Sequence, residues 1–122
     1  EKIDYCVFHM PNSKFPVSAA NQLGFTIDQL KPSLIVDQIG NPYSASSLLG
    51  LAAVIDIAKP GQTIFMVSYG SGAGSDAFLW QTKPAIKTLQ KERQKQKITI
   101  NDYLTNKQYI SYTRYLKQTH KI

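Results

Sequence analysis

The chain has 122 residues, of which 43% are hydrophobic, and a formal net charge of +6 at pH 7. This length corresponds to one domain or part of a larger one, and the hydrophobic fraction excludes a disordered protein. No apolar run approaches the roughly 20 residues of a membrane span, so we expect a soluble protein that does not enter a membrane.

The first predicted elements are a strand over residues 5–8 and a helix over residues 14–24. The strand follows the N-terminus directly, without a targeting segment, as in a chain that was cut, processed or lost its beginning. Cys6 is the single cysteine. It excludes an internal disulfide framework and predicts a reducing, cytoplasmic location. Because side chains alternate along a strand, Cys6 faces away from His9, which predicts a core cysteine.

A second predicted helix, over residues 44–58, is apolar on all sides apart from Asp56. A helix of this kind has to be covered all round, which predicts that it lies between two sheets of a layered α/β fold. Two strands, 63–68 and 76–81, flank a glycine-rich segment, and this pattern predicts an antiparallel hairpin.

The charge is concentrated in the last 40 residues. Residues 1–82 carry four lysines and six acids, a net of −2, whereas residues 83–122 carry ten Lys or Arg and two acids, a net of +8. Helices are predicted over 85–96 and 101–118, and the run KERQKQK (91–97) is predicted to be a solvated linker. We therefore divide the chain into a half-domain, 1–82, and a basic helical extension, 83–122, that packs on the domain or on a partner.

Three candidate functional residues lie where strands end or helices begin. His9 follows the first strand, and an imidazole can hold an anionic or carbonyl oxygen. Asn41 precedes the apolar helix, whose N-terminus favours negative charge. Ser71 lies in the glycine turn, where its N–H could donate to a developing oxyanion. If they have no functional role, His9 is an ordinary loop histidine, Asn41 is a turn-forming asparagine, and Ser71 is part of a flexible hairpin turn.

Other kinds of site have less support. The GSGAG segment leads into a strand, whereas a dinucleotide-binding loop leads into a helix. The two histidines lie 111 residues apart without a nearby cluster of Cys or acids, so no metal site is predicted. A basic tail raises nucleic acid, an acidic protein or an anionic cofactor as ligands. Its tyrosines have the helical spacing of packing residues, however, so no nucleic-acid partner is expected.

Three segments in register, VFHMPNSKFP, IGNPYSASSLLGLAAVIDIAKPG and VSYGSGAGSDAF, resemble successive blocks of archaeal-type hydroxymethylglutaryl-CoA synthases, and the resemblance extends to about Ile122. It implies the thiolase fold, a duplicated five-layer αβαβα arrangement of which this chain is the C-terminal half. That family condenses acetyl-CoA with acetoacetyl-CoA. A cysteine is acetylated, a glutamate deprotonates the acetyl methyl, and the enolate attacks the ketone.

The resemblance also implies a role for each matched residue. The catalytic histidine that holds the acetoacetyl oxygen falls on His9, and the asparagine that hydrogen-bonds the acetoacetyl thioester falls on Asn41. The lysine that contacts CoA falls on Lys14. The turn that forms the oxyanion hole, through the N–H of its serine, falls on Gly70, Ser71 and Gly72. CoA thioesters are then the substrates, with no tightly bound cofactor.

The family's cysteine and glutamate belong to the N-terminal half, outside this chain, and relatives often have a basic residue at the position of Ser18. The chain is therefore expected to be a fragment or one subunit of a split enzyme, inactive without the half that carries the cysteine. We expect the assembled enzyme to be a homo-oligomer. Its candidate partners are an acetoacetyl-CoA thiolase and a zinc-ribbon, OB-type protein. The alternative is a non-catalytic subunit of a thiolase-type acyl-transfer complex that binds a protein through the basic tail.

Overall fold

A computed structural model describes residues 2–122. Within that range its elements are β1 (Tyr5–Phe8), α1 (Lys14–Gln22), α2 (Ile27–Leu30), α3 (Val36–Ile39), α4 (Ser46–Ile55), β2 (Thr63–Gly70), β3 (Gly74–Gln81), α5 (Ile86–Lys95), α6 (Ile100–Thr105) and α7 (Tyr112–Gln118). Two 3-10 turns, Lys31–Ser33 and Tyr43–Ala45, precede α3 and α4. None of the helices in residues 2–122 is long and apolar enough to cross a bilayer.

The three strands form one sheet in the order β1-β2-β3. β1 is parallel to β2, and β2 is antiparallel to β3, with Gly70 opposite Gly74 at the turn. The hairpin is therefore present, and each of its strands extends two residues further toward the turn than predicted. β3 is an edge strand, and all eight of its residues are exposed.

Alternating side chains along β1 and β2 build a core on each face of the sheet. The core toward α1 and α2 contains Cys6, Phe8, Ala20 and Leu30. The core toward α4 and α5 contains Val7, Val54, Ala58, Ile64, Met66 and Ile86. Cys6 is completely buried, which confirms the prediction that it is a core residue. The sheet thus lies between two helical layers.

The predicted apolar helix is α4, which is covered on one side in this structure. At Gly50, a Cβ would lie 2.9 Å from Met10 Cε and 3.1 Å from Val7 Cγ1, so the helix backbone lies very close to β1. Leu48 is 62% exposed. Residues 2–122 contain one sheet, so the second sheet expected to enclose α4 is not part of the described chain. The helix is also shorter than predicted at both ends, since residues 43–45 form a 3-10 turn before it and it ends at Ile55.

The first part of the basic extension packs on α4. The segment predicted as a linker, 91–97, is helical as far as Lys95 because α5 continues through it. Arg93 pairs with Asp56, the residue that follows α4, with Nε 2.6 Å from Oδ1 and Nη2 3.2 Å from Oδ2. The hydrogen bond to Asp56 raises the pKa of Arg93. Asp56 Oδ2 also accepts a hydrogen bond from Ile100 N at 2.7 Å, so one carboxylate joins α4, α5 and α6.

The single helix predicted over 101–118 is wrong, since α6 and α7 are separate. Each of them has its own N-terminal cap. Thr99 and Asp102 form a capping box at α6, and hydrogen bonds from Thr99 lower the pKa of Asp102. Ser111 accepts a hydrogen bond from Arg114 N at the start of α7. Because a cap residue has an extended backbone, Ser111 begins a new helix and does not continue the earlier one.

Candidate functional site

His9 lies where β1 leaves the sheet, and its N–H donates to Val67 O at 3.2 Å. Its side chain is held from two directions. The imidazole centroid is 5.7 Å from the ring centroid of Tyr69 on β2. On the other side, Nδ1 lies 3.0 Å from Oγ of Ser46, the first residue of α4. The strand end and the helix start therefore position His9 together.

His9 lies on the wall of a cavity of about 250 Å³. The remaining wall residues are Tyr43, Ser44, Tyr69, Gly70 and Ser71. The cavity thus joins the end of β1, the turn before α4 and the hairpin turn, although His9 and Ser71 are 62 residues apart in sequence. Among residues 2–122 the Ser71 N–H makes no backbone hydrogen bond, so this wall residue has a backbone donor that is not engaged by the turn. The space can hold the reacting end of a ligand rather than a whole large cofactor.

Asn41 lies on the loop that carries Tyr43 and Ser44 but is not a wall residue. It is exposed, and its Oδ1 accepts a hydrogen bond from Tyr43 N at 2.8 Å, as in an Asx turn. Tyr43 has a φ of 54°, which is rare for a residue other than glycine. The contact leaves the NH₂ group of Asn41 as a donor, because the amide oxygen is the group that the backbone N–H engages.

Lys14 and Gly72 also lie outside the wall of this cavity. Lys14 is the exposed first residue of α1, and Asn12 Oδ1 caps that helix by accepting hydrogen bonds from Lys14 N at 2.9 Å and from Phe15 N at 3.3 Å. Gly72 lies in the three-residue loop between β2 and β3 with a φ of 86°, a conformation that favours glycine.

A second cavity, of about 520 Å³, shares His9 and Tyr69 with the first. Its other walls are mostly apolar: Phe8, Pro11, Phe15, Ala19, Val67 and Ser75. His9 and Tyr69 therefore separate two adjoining spaces. Two further cavities, of about 520 Å³ beside α6 and about 560 Å³ between α4, β3 and α5, contain none of the predicted site residues. The volume of a cavity therefore does not identify the candidate site, which is identified by the predicted site residues on its wall.

The thiol of Cys6 is on the opposite face of β1 from this site. Burial raises the pKa of Cys6 to about 11, so the thiolate required of a nucleophile is scarce at neutral pH. In the part of the chain that the structure describes, no group of three His, Cys, Asp or Glu side chains could hold a metal ion.

Sequence reasoning does not single out Tyr43, Ser44, Ser46 or Tyr69. The available signal for Ser46 was the pair of serines that opens an otherwise apolar helix. The proximity of Tyr69 to His9 depends on the pairing of β1 with β2, which a single sequence does not show.

The chain has relatives of known name over its whole length. Residues 1–82 match the family model of the 3-oxoacyl-[acyl-carrier-protein (ACP)] synthase III C terminal. The chain is 48% identical to a hydroxymethylglutaryl-CoA synthase of Archaeoglobus fulgidus and 46% identical to one of Methanopyrus kandleri. Each comparison covers 100% of this chain and 34% of the relative. The chain thus spans about a third of the length of these curated relatives.

Solved structures share its fold. The HMG synthase of the curacin biosynthetic pathway, in complex with apo donor-ACP, has a TM-score of 0.81 at 23% identity over 99% of this chain and 33% of its own. MvaS in complex with 3-hydroxy-3-methylglutaryl coenzyme A has a TM-score of 0.77 at 21% identity over 96% of this chain and 34% of its own. The α, β and α layers described above are therefore part of a thiolase-like fold.

Proposed function

Because the chain belongs to the family of the 3-oxoacyl-[acyl-carrier-protein] synthase III C terminal, we propose that it is the C-terminal part of a hydroxymethylglutaryl-CoA synthase. It supplies one side of a site that condenses acetyl-CoA with acetoacetyl-CoA. The nucleophilic cysteine and the glutamate base come from the part of the enzyme outside these 122 residues, as a preceding segment or a separate subunit.

The observation that carries this proposal is the cavity shared by His9 and Ser71. Condensation forms a bond between the acetyl enolate carbon and the ketone carbon of acetoacetyl-CoA, so negative charge develops on the ketone oxygen. A hydrogen-bond donor fixed beside that oxygen stabilises the transition state. His9 is this donor, and the Ser71 N–H serves the oxygen of the enzyme thioester from the hairpin side of the cavity.

Asn41 and Lys14 have supporting roles in the same proposal. The Asx turn leaves the Asn41 NH₂ available, and in this proposal that group hydrogen-bonds the acetoacetyl thioester. Lys14 is exposed next to Phe15, which lines the second cavity, and its ammonium group contacts CoA. Ser18 is exposed one turn further along α1, where it adds no charge to this contact.

Named relatives support CoA thioesters as substrates, since solved structures of this fold contain 3-hydroxy-3-methylglutaryl coenzyme A or CoA. None of the relatives named above is a non-catalytic subunit, so the alternative of a partner-binding subunit has no support from them. A cytoplasmic location remains a prediction from the single cysteine. A homo-oligomeric assembly and thiolase and zinc-ribbon, OB-type partners remain predictions of the family resemblance.

The experiment that tests the proposal is His9→Ala in the complete enzyme. Condensation is expected to slow by roughly 10²-fold or more, because a positioned donor to the ketone oxygen is lost. Acetylation of the catalytic cysteine by labelled acetyl-CoA is expected to survive, because His9 serves the second substrate. The two steps are measured separately by single-turnover labelling and by steady-state formation of the product.

The matched control is His120→Ala, which removes an exposed histidine near the C-terminus that lines neither cavity beside His9. Both steps should be unchanged in it. Equal loss of acetylation and condensation in His9→Ala would show that His9 has a different role, and unchanged condensation would overturn the proposed function.

A further inference from the structure

Ser46 is the most enclosed polar side chain beside the candidate site. It is the first residue of α4, and it is 0% exposed. Its Oγ accepts a hydrogen bond from Met10 N at 2.9 Å and lies 3.0 Å from His9 Nδ1. A backbone N–H can only donate, so the Met10 contact uses one lone pair of Oγ and leaves the hydroxyl proton unassigned.

The position of that proton follows from burial. A hydroxyl proton with no acceptor is costly in an environment from which water is excluded. Within residues 2–122, His9 Nδ1 is the one acceptor within hydrogen-bond distance of the Ser46 hydroxyl. If Nδ1–H donated to Oγ instead, the hydroxyl proton would remain buried without a partner. The Ser46 hydroxyl therefore donates to Nδ1.

We infer that Ser46 is a positioning residue that holds neutral His9 in the tautomer with its proton on Nε2. With Nδ1 occupied as an acceptor, the ring presents an N–H donor on the side that remains for a ligand. The same serine ties the strand end to the helix start through Met10, so the ring orientation and the tautomer are set by one side chain. The kinetic consequence of this inference rests on the proposed function, whereas the tautomer itself does not.

Ser47 provides a matched control. It follows Ser46 in the first turn of α4 and is 3% exposed, but it makes no hydrogen bond to His9. Ser46→Ala and Ser47→Ala therefore remove the same atom from neighbouring buried positions, and only the first removes the donor to Nδ1.

The test uses the complete enzyme with ¹⁵N-labelled histidine, and long-range ¹H–¹⁵N spectra report which ring nitrogen carries the proton. The His9 signals are assigned by their loss in His9→Gln. The wild type and Ser47→Ala should show His9 with its proton on Nε2, whereas Ser46→Ala should show a mixture of both tautomers. The kcat for condensation should fall roughly 10-fold or more in Ser46→Ala, with a smaller change in KM. Ser46→Thr, which keeps a hydroxyl, should restore most of it.

A wild-type His9 protonated on Nδ1 would overturn the inference even if Ser46→Ala failed to fold. An unchanged tautomer in folded Ser46→Ala would overturn it as well. If the enzyme has the expected tautomers but no condensation activity in the wild type, the proposed function fails and the positioning role of Ser46 stands.

Discussion

At the scale of single residues, the chemistry of the site depends on the face of β1 that each side chain occupies. Val7 packs toward α4, and His9, two residues on, reaches Ser46 at the start of that helix. Cys6 packs in the core beneath α1 and α2. The thiol is thus separated from the cavity by the strand itself. In the proposed enzyme, the cysteine that accepts the acetyl group therefore comes from outside these residues.

Burial of Cys6 predicts a specific dependence of stability on pH. Its folded pKa of about 11 lies above the ordinary value of 9.0, so in alkali the unfolded chain loses this proton first. Below about pH 9 this group leaves the free energy of unfolding unchanged, and as the pH rises toward about 11 the free energy of unfolding falls by up to about 3 kcal/mol. Comparing the free energy of unfolding of wild type and Cys6→Ala at about pH 8 and about pH 10 isolates this effect. A constant difference between the two proteins would contradict the raised pKa.

At the scale of elements, α4 is joined to β1, α5 and α6 by contacts along its length. Ser46 links its start to the end of β1. Gly50 brings its backbone against β1 in the middle. Asp56, just past its end, holds Arg93 of α5 and the first N–H of α6. The candidate site therefore depends on a helix that is fixed at three successive points.

Gly50→Ala tests the central contact. Alanine favours a helix by about 1 kcal/mol over glycine, but the added Cβ would also lie 3.1 Å from the backbone Ser33 O, which cannot move away as a flexible side chain does. We expect a net loss of about 1–3 kcal/mol in the free energy of unfolding, measured by denaturant titration. Gly74→Ala is the control, since its Cβ would meet nothing within 4 Å. A stabilised Gly50→Ala protein would mean that α4 and β1 are not in close contact.

At the scale of the whole molecule, two elements leave apolar surface uncovered. Leu48 on α4 is 62% exposed, and the edge strand β3 exposes Phe78, Leu79 and Trp80. Large apolar side chains grouped on an open edge strand indicate a surface that another part of an assembly covers. In the five-layer fold of the proposed enzyme, we expect α4 in the middle layer and α1 in an outer layer, so the two helices should differ in the assembled protein.

Leu48→Asp and Leu23→Asp, made in the complete enzyme, compare these layers. The two leucines are similarly exposed in this chain, at 62% and 58%. Leu48→Asp should lower the Tm by several degrees or prevent assembly, because a carboxylate would be buried without a partner. Leu23→Asp, at the end of α1, should have a small effect. Thermal unfolding and size-exclusion chromatography measure both outcomes, and equal effects would contradict the middle-layer position of α4.

The local order of the chain could be predicted from its sequence. The glycine-rich turn indicated the β2–β3 hairpin, because turn chemistry acts over a few residues. Alternation along β1 placed Cys6 and His9 on opposite faces, because the period of a strand is two. The ends of helices were predicted less well. Residues 101–118 have the apolar spacing of a single helix, but the N-cap at Ser111 begins a second helix within this segment.

The assembly of the site was decided by tertiary structure. Parallel pairing of β1 with β2 brings Tyr69 beside His9, and packing of α4 on the sheet brings Ser46 to Nδ1 across 37 residues of sequence. The same packing puts Tyr43 and Ser44, rather than Asn41, on the cavity wall. Patterns of two or 3.6 residues specify which face of an element is buried, but the partner of that face depends on contacts between distant segments. The sequence therefore determined the chemical groups available to this protein, and the packing of α4 against the sheet determined which of them share a cavity.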